Sequence, residues 1–564
     1  MSDHVSKKEG LWGGHGQNGK LKCLLVGIGG GYHYNIRLLH SIVNQKSDCD
    51  ILFLQFSSNK QLIGSDLRVH FNKDVNDFNK TFAFLTQWLQ VRQYDLIGIS
   101  LMSHNWTLFV SLTRSIRESL PKCKIIAGGV HPWHVATLET LKHCDYVCAT
   151  EGEELLASLI DRLSTGIIDT PLRIPGLVEK FNNQVITTPA GASVEIEDLP
   201  VPTYGGDNIY YLHSVEDNPV LTNYDNMLDS GNIFVHIGRG CPYKCSYCIN
   251  SVFTEKKMRM RTVDKLISEI KTILTVCRKV ENIFFMDEIF PMRNDYLQEF
   301  VEKYRDNIGL PFQITLYPGM LTEEKLVLLK HAGLKEITMG VQSGSESTIK
   351  NIFTRTYTKE LIIKENEIIT KHKIMIYYDF IIRNPFETVK DYKETLELIT
   401  RLKRQFYLKF YTLAFFPEHP ITKKALEAGY IREADIDPSI SYLDVTTPHK
   451  KAIAEHYYVE EGLVQWNRVI LNNVKENSAE DAYYLIMSYY GYWFIPKLIV
   501  DYFMKQLIKG DLSKIIHFGA VINTILSFRN SIVVKRLRYL VNIMKKEGII
   551  NVFKVVYRKI TTGV

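Results

Sequence analysis

The sequence predicts an α/β chain in which two sheets follow one another and a helical segment comes last. Three observations carry that expectation. Short apolar runs alternate with longer helical patterns from Leu21 onward, and the alternation starts afresh after residue 230. Between the two series lies Asp198-Leu-Pro200-Val-Pro202, whose prolines favour an extended crossing over helix. The second series then opens with Cys241-Pro-Tyr-Lys-Cys245-Ser-Tyr-Cys248, set directly after the apolar strand Ile233–Ile237 and Gly238-Arg239-Gly240.

A chain of 564 residues is too long for one core. The expected division is a polar arm over 1–19, a first sheet domain over 20–170, a connector over 171–230, a second sheet domain over 231–449 and a helical region over 450–564. Hydrophobic residues at 45% and charged residues at 23% are ordinary for globular protein, and the net charge of +6 is mild. The first ten residues lack the apolar core of a signal peptide. No segment reaches the ~18 uncharged apolar residues of a membrane span. The nearest, Ala482 to Pro496, is interrupted by Gly491 and reads as a buried or substrate-facing helix. Outside the triad, Cys23, Cys49, Cys123, Cys144, Cys148 and Cys277 lie mostly in apolar segments and read as buried free thiols, which suits a reducing cytoplasm.

In the first domain the expected strands are Cys23–Gly27, Asp50–Gln55, Asp95–Ser100, Lys124–Ala127 and Asp145–Ala149, with a glycine loop from Ile28 to Tyr34 and a helix over Asn35–Val43. Strands of this length spaced by helices predict a parallel, doubly wound, Rossmann-like sheet, whose ligands sit at the carboxyl ends of the strands. The loops at those ends are Gly98-Ile-Ser100-Leu-Met-Ser103, Gly128-Gly129-Val-His131-Pro132 and Glu151-Gly152-Glu153. The connector reads as a hairpin turning at Asn182-Asn183, followed by the proline crossing. In the second domain the strands are Ile233–Ile237, Asn282–Met286, Phe312–Leu316, Glu336–Val341, Met375–Ile381 and Phe410–Leu413.

The three cysteines suit one chemistry above others. Three thiolates on a short loop can bind one face of a cubane iron–sulfur cluster and leave the fourth iron open. A zinc site would need a fourth Cys or His at knuckle spacing, and none follows nearby. With Tyr247 placed before the last cysteine, the loop resembles that of the radical S-adenosylmethionine (SAM) enzymes. The loops of the first domain, taken together, look like the cobalamin-binding domain that precedes many of them. The whole, over roughly residues 20–430, resembles the cobalamin-dependent radical SAM enzymes.

That resemblance implies a partial (β/α)6, TIM-type radical SAM barrel for the second domain, and a [4Fe-4S] cluster, SAM and cobalamin as cofactors. It names Cys241, Cys245 and Cys248 as the catalytic cluster ligands. It implies SAM contacts at Tyr247, Asp287, Gln342, Ser343, Glu346 and Glu387, and cobalamin contacts at His33, Ser100, Ser103, Gly128, Gly129, His131, Glu151 and Gly152. Gln342 stands where relatives often carry Glu, Asn384-Pro-Phe replaces a Gly-x-Pro-Gly turn, and Glu346 also suits a helix N-terminus. His33 matches the histidine of an Asp-x-His-x-x-Gly cobalt-ligand motif, but the flanking Asp and Gly are missing; the alternative is an unliganded or water-bound lower cobalt face.

The activity implied is methylation of an unactivated carbon, or of phosphinate phosphorus, on a specialised metabolite or lipid. The alternatives are a cyclase, ring contraction or oxidative rearrangement without methyl transfer, and a non-catalytic cobalamin or redox sensor. Expected partners are a small-molecule or lipid substrate and a flavodoxin- or ferredoxin-type electron donor, with no nucleic acid. The basic run from Arg529 to Lys559 reads as a solvated helix face, with a peripheral membrane or carrier-protein contact as the other use.

Overall fold

The computed structural model of the chain describes residues 20–28, 33–55, 79–166, 170–215, 218–252, 258–403 and 405–436. The expected N-terminal arm, the centre of the glycine loop and the helical region from 450 lie outside the described residues.

The first domain is a nine-stranded sheet. Its core strands are β1 (Lys22–Ile28), β2 (Asp48–Gln55), β3 (Leu96–Ser100), β4 (Lys124–Gly128) and β5 (Tyr146–Cys148), all parallel in the order β5-β4-β3-β1-β2. β1 and β2 are buried almost throughout, as parallel strands covered on both faces must be. One face carries α1 (Tyr34–Val43); the other carries α2 (Asn79–Arg92) and α3 (Trp106–Ser119). The short α4 (Val130–His134) and α5 (Thr137–Leu141) follow β4, and α6 (Gly152–Ser164) follows β5 and packs beside α1. The order reverses between β1 and β3, where such sheets open a crevice at their carboxyl ends.

The stretch expected as a connector is built into this sheet. A hairpin of β6 (Leu177–Phe181) and β7 (Gln184–Thr187) turns at Asn182-Asn183 and pairs antiparallel with β5. After the proline crossing, β8 (Ile209–Val215) joins the far edge parallel to β2, and β9 (Asn218–Thr222) closes it.

The second domain is a six-stranded parallel sheet of β10 (Asn232–Val235), β13 (Asn282–Phe285), β14 (Phe312–Leu316), β15 (Leu334–Gln342), β16 (Met375–Ile382) and β17 (Phe406–Thr412), hydrogen-bonded in chain order. Between the first two lies a small ribbon, β11 (Gly238–Arg239) against β12 (Arg259–Met260). Helices α7 (Val263–Val276), α8 (Asn294–Asn307), α9 (Glu323–Ala332), α10 (Lys359–Lys371) and α11 (Val389–Arg401) connect successive strands, and α12 (Pro420–Glu427) follows the last. Each strand turns one set of alternating residues onto these helices, as with Ile376, Tyr378 and Phe380 of β16.

Charge buried at the seam joins the domains. Arg37 of α1, 1% exposed, donates to both oxygens of Asp225 at 2.7 and 2.8 Å, to the Thr203 carbonyl at 3.0 Å and to the Tyr211 hydroxyl at 2.9 Å. Asp225 also accepts from the amides of Gly205 (2.8 Å), ahead of β8, and of Met227 (3.0 Å), on the stretch that leads into the barrel. Burial alone would raise the Asp225 pKa, but the Arg37 charge and these donors hold it below the usual carboxylate value. A second knot joins Tyr34 of α1 to the barrel: its hydroxyl donates to Glu269 at 2.9 Å and accepts from Arg261 at 2.7 Å.

Removing one partner of a buried, fully paired charge costs about 3–5 kcal/mol. Arg37→Ala should therefore lower the urea midpoint by a corresponding amount. Because the folded-state pKa of Asp225 is depressed, the wild-type advantage is present above the unfolded carboxylate value of about 4 and is lost as pH falls through the folded one. Urea melts of both proteins at pH 7 and pH 3 should show the gap narrowing in acid.

Candidate active site

Leu25 of β1 and the carboxyl ends of β3 and β4 face the β11–β12 ribbon across a cavity of about 500 Å³, whose wall borders the cysteine loop at Gly240 and Asn250. Ser100, Gly128, Gly129, Glu151 and Gly152 line it from the first domain, and His236, Arg239, Arg259, Arg261 and Glu288 from the second. One glycine keeps the first wall open, and a second lets the loops behind it close on each other. A Cβ on Gly98 would fall 2.8 Å from Leu25 Cδ2, and Gly129 sits at φ +106° with the Leu101 carbonyl 2.8 Å from where a Cβ would lie. The result is a slot backed by bare backbone at the switch point, a cradle of the kind a bulky, tailed cofactor such as cobalamin requires.

The cysteine loop is fixed from both sides. Asp287, at the end of β13, accepts from the amides of Ile237 (3.0 Å) and Gly238 (2.7 Å). Burial pushes its carboxyl up to about 7 against those donors. Deeper in, Ser246 donates its amide to the Phe353 carbonyl at 3.1 Å and its hydroxyl to the Ile352 carbonyl at 2.5 Å. Tyr243 stacks on Tyr317 with centroids 3.7 Å apart. Arg355, 4% exposed, lies between the rings of Tyr317 and Tyr357 and donates to the Tyr247 hydroxyl at 2.5 Å and the Gly340 carbonyl at 2.8 Å. No carboxylate among the described residues pairs with Arg355.

Cys245 is buried, and Cys241 and Cys248 are half-buried. Burial, with the neighbouring thiols adding, pushes Cys241 up to about 11; burial also raises Cys248, although Asn250 donates to it. Thiols whose ionisation burial opposes, as at Cys241 and Cys248, suit a cationic iron centre, which favours the thiolate form. No three His, Cys, Asp or Glu side chains among the described residues converge closely enough for a single metal ion. Thiolates that each take a different iron of a cluster need not converge.

The other positions singled out from the sequence fall into two sets. At the open ends of the barrel strands, Gln342 adopts φ +67° at an irregularity in the β15–β16 pairing, a sparsely populated conformation of the kind found at functional sites. Ser343 beside it donates to Glu387 at 2.7 Å, and Asn384 shapes the turn by accepting from Phe386 and Glu387 amides. Glu346 is exposed at the start of the next helix, and the Asp287 carboxylate is taken up by the backbone. In the first domain, His33 stacks on Phe53 and lies against Gly27, outside the cavity lining. His131 is wholly buried on Trp106, with Nδ1 3.0 Å from Ser103 Oγ, so both residues brace the β3 and β4 loops from behind.

Sequence reasoning passed over Arg355, Arg239, Arg259 and His236. Arg239 stood inside the Gly-Arg-Gly motif before Cys241, but its partner lies 88 residues earlier in Glu151, at 3.0 Å. Arg355 is 107 residues beyond Cys248 and carries no local signal.

The slot gives a pair of expected outcomes, read by equilibrium dialysis of hydroxocobalamin. Gly98→Val should weaken uptake about tenfold or more, because an overpacked wall costs roughly 1–3 kcal/mol. His33→Ala should leave uptake within about twofold, the spread expected of a change of a few tenths of a kcal/mol.

Comparison with known proteins agrees with this arrangement. Residues 74–160 match the B12 binding domain family, and residues 235–399 match the Radical SAM superfamily. The cobalamin-dependent radical SAM methyltransferase TokK of Streptomyces tokunonensis is 22% identical over 58% of this chain and 48% of its own length. An anaerobic magnesium-protoporphyrin IX monomethyl ester cyclase of Synechocystis is 26% identical over 55% of this chain and 59% of its own length. The chain thus spans about half the length of these curated relatives. The solved structure of the cobalamin-dependent S-adenosylmethionine radical enzyme OxsB, with aqua-cobalamin and S-adenosylmethionine bound, superposes with a TM-score of 0.61 at 13% identity, over 96% of this chain and 84% of that one. Two domain families in this order along one chain, facing a shared cavity in a fold that OxsB also adopts, give this protein the B12-binding and radical SAM domain arrangement of the cobalamin-dependent radical SAM enzymes.

Proposed function

We propose that this enzyme is a methyltransferase acting on an unactivated carbon, or on a phosphinate phosphorus, of a specialised metabolite or lipid. The observation that carries the reading is the single cavity onto which both the glycine slot and the ribbon leading to the cysteine loop open. When bound, the cluster and SAM supply a radical able to abstract hydrogen from such a carbon, while cobalamin supplies a transferable methyl group. In this reading Cys241, Cys245 and Cys248 hold the cluster. Tyr247, oriented by Arg355, and the linked Ser343–Glu387 pair at the strand ends hold SAM, with Gln342 beside them. Ser100, Gly128, Gly129 and Gly152 receive the cobalamin tail. A small-molecule substrate and a flavodoxin- or ferredoxin-type electron donor complete the scheme.

Likeness to TokK favours methyl transfer; likeness to the cyclase supports a second reading in which both cofactors serve a ring-forming oxidation. Anaerobically reconstituted enzyme, given a low-potential reductant and SAM deuterated on its methyl group, separates them. Methyl transfer predicts S-adenosylhomocysteine alongside 5′-deoxyadenosine, with the deuterated methyl recovered on a product. Formation of 5′-deoxyadenosine without S-adenosylhomocysteine would favour the cyclase reading. Cys245→Ala should bring 5′-deoxyadenosine formation to background, and retention of wild-type turnover would remove the cysteine loop from the chemistry.

A further inference from the structure

We infer that Arg239 is a positioning residue that sets the distance and tilt of the bound cobalamin relative to the iron–sulfur cluster. Its place in the chain is the first argument. Arg239 stands two residues before Cys241, and its backbone is clamped by the β11–β12 pairing, next to Gly238, whose amide donates to Asp287. It therefore moves only with the cysteine loop. Its guanidinium reaches across the cavity to the other domain, donating to Glu151 at 3.0 Å and to Glu153. Arg259, its partner across the ribbon, donates to the two Glu151 oxygens at 2.5 and 3.2 Å. Glu151 also accepts from the Val194 amide at 3.0 Å.

These two carboxylates flank Gly152, the first residue of α6 and part of the slot wall. The path from slot to cluster loop is thus Gly152, its two flanking carboxylates, Arg239, Gly240 and Cys241, with no flexible linker in it. The charges are also shielded. Side-chain exposure is 28% for Arg239, 14% for Glu151 and 8% for Glu153, so the pairing is stronger and more directional than a surface ion pair. In line with this, the surrounding guanidiniums outweigh burial and hold the Glu151 carboxyl below its ordinary pKa. With its oxygens so occupied, Glu151 acts on the cofactor through wall geometry and not by direct contact.

The test uses full-length protein reconstituted with iron, sulfide and hydroxocobalamin, then reduced so that cluster and cob(II)alamin are both paramagnetic. Pulsed EPR reads the distribution of distances between them, and iron and cobalamin are quantified in parallel. Arg239→Gln and Glu153→Gln should keep both cofactors at wild-type content while the distribution broadens and shifts; Arg239→Lys, which keeps the charge but loses the fork, should fall between them and wild type. An unchanged distribution in Glu153→Gln would overturn the inference, whether or not Arg239→Gln retains its cluster. Loss of the cluster on Glu153→Gln would overturn it too, since the pairing would then only hold the cysteine loop folded.

Discussion

Charge buried at the seam between two sheets is the constraint on which the rest of this structure depends. Arg37 with Asp225, Tyr34 with Arg261 and Glu269, and Glu151 with Arg239 and Arg259 each cross from the first sheet to the barrel or its approach. None would survive a sliding of one sheet past the other, because each is satisfied only in one register and an unpaired buried charge is costly. An apolar seam would bury as much surface but would tolerate slip, since apolar contacts are non-directional. The fixed register is what brings two unrelated elements, a glycine slot and the ribbon that leads to the cysteine triad, onto one cavity.

Much of the fold was legible because it rests on local pattern. The five core strands of the first sheet and the six of the barrel announce themselves as short apolar runs between helices, and all are present within a few residues of expectation. Strand β17 starts four residues earlier than its apolar run suggested, because Tyr407 and Lys409 alternate with Phe406, Leu408 and Phe410 and mask the pattern. Strand β8 was hidden differently. Ile209–Val215 lies in the stretch read as a connector, and nothing local says that it forms a strand returning to the edge beside β2 after a long crossing.

The site divides along the same line. Gly128, Gly129 and the spacing of the three cysteines stand out in the sequence without coordinates, and the structure puts the two glycines on the cavity wall. Residues whose task depends on a distant partner do not stand out. Asp287 carried the right chemistry for a strand-end ligand group, yet two backbone amides take its carboxylate. Glu151 likewise serves two arginines, and Arg355 gains its role only when Tyr247, Tyr317 and Tyr357 gather round it.

The claim tested most directly is that one cavity serves both cofactors. Anaerobic crystals of the reconstituted protein, measured at the iron and cobalt absorption edges, would locate each metal independently. The account predicts iron at the Cys241–Cys248 loop and cobalt within the cavity between Gly129 and His236, with the corrin tail running along Gly98 and Ser100. Cobalt bound elsewhere, or a tail outside that slot, would contradict it.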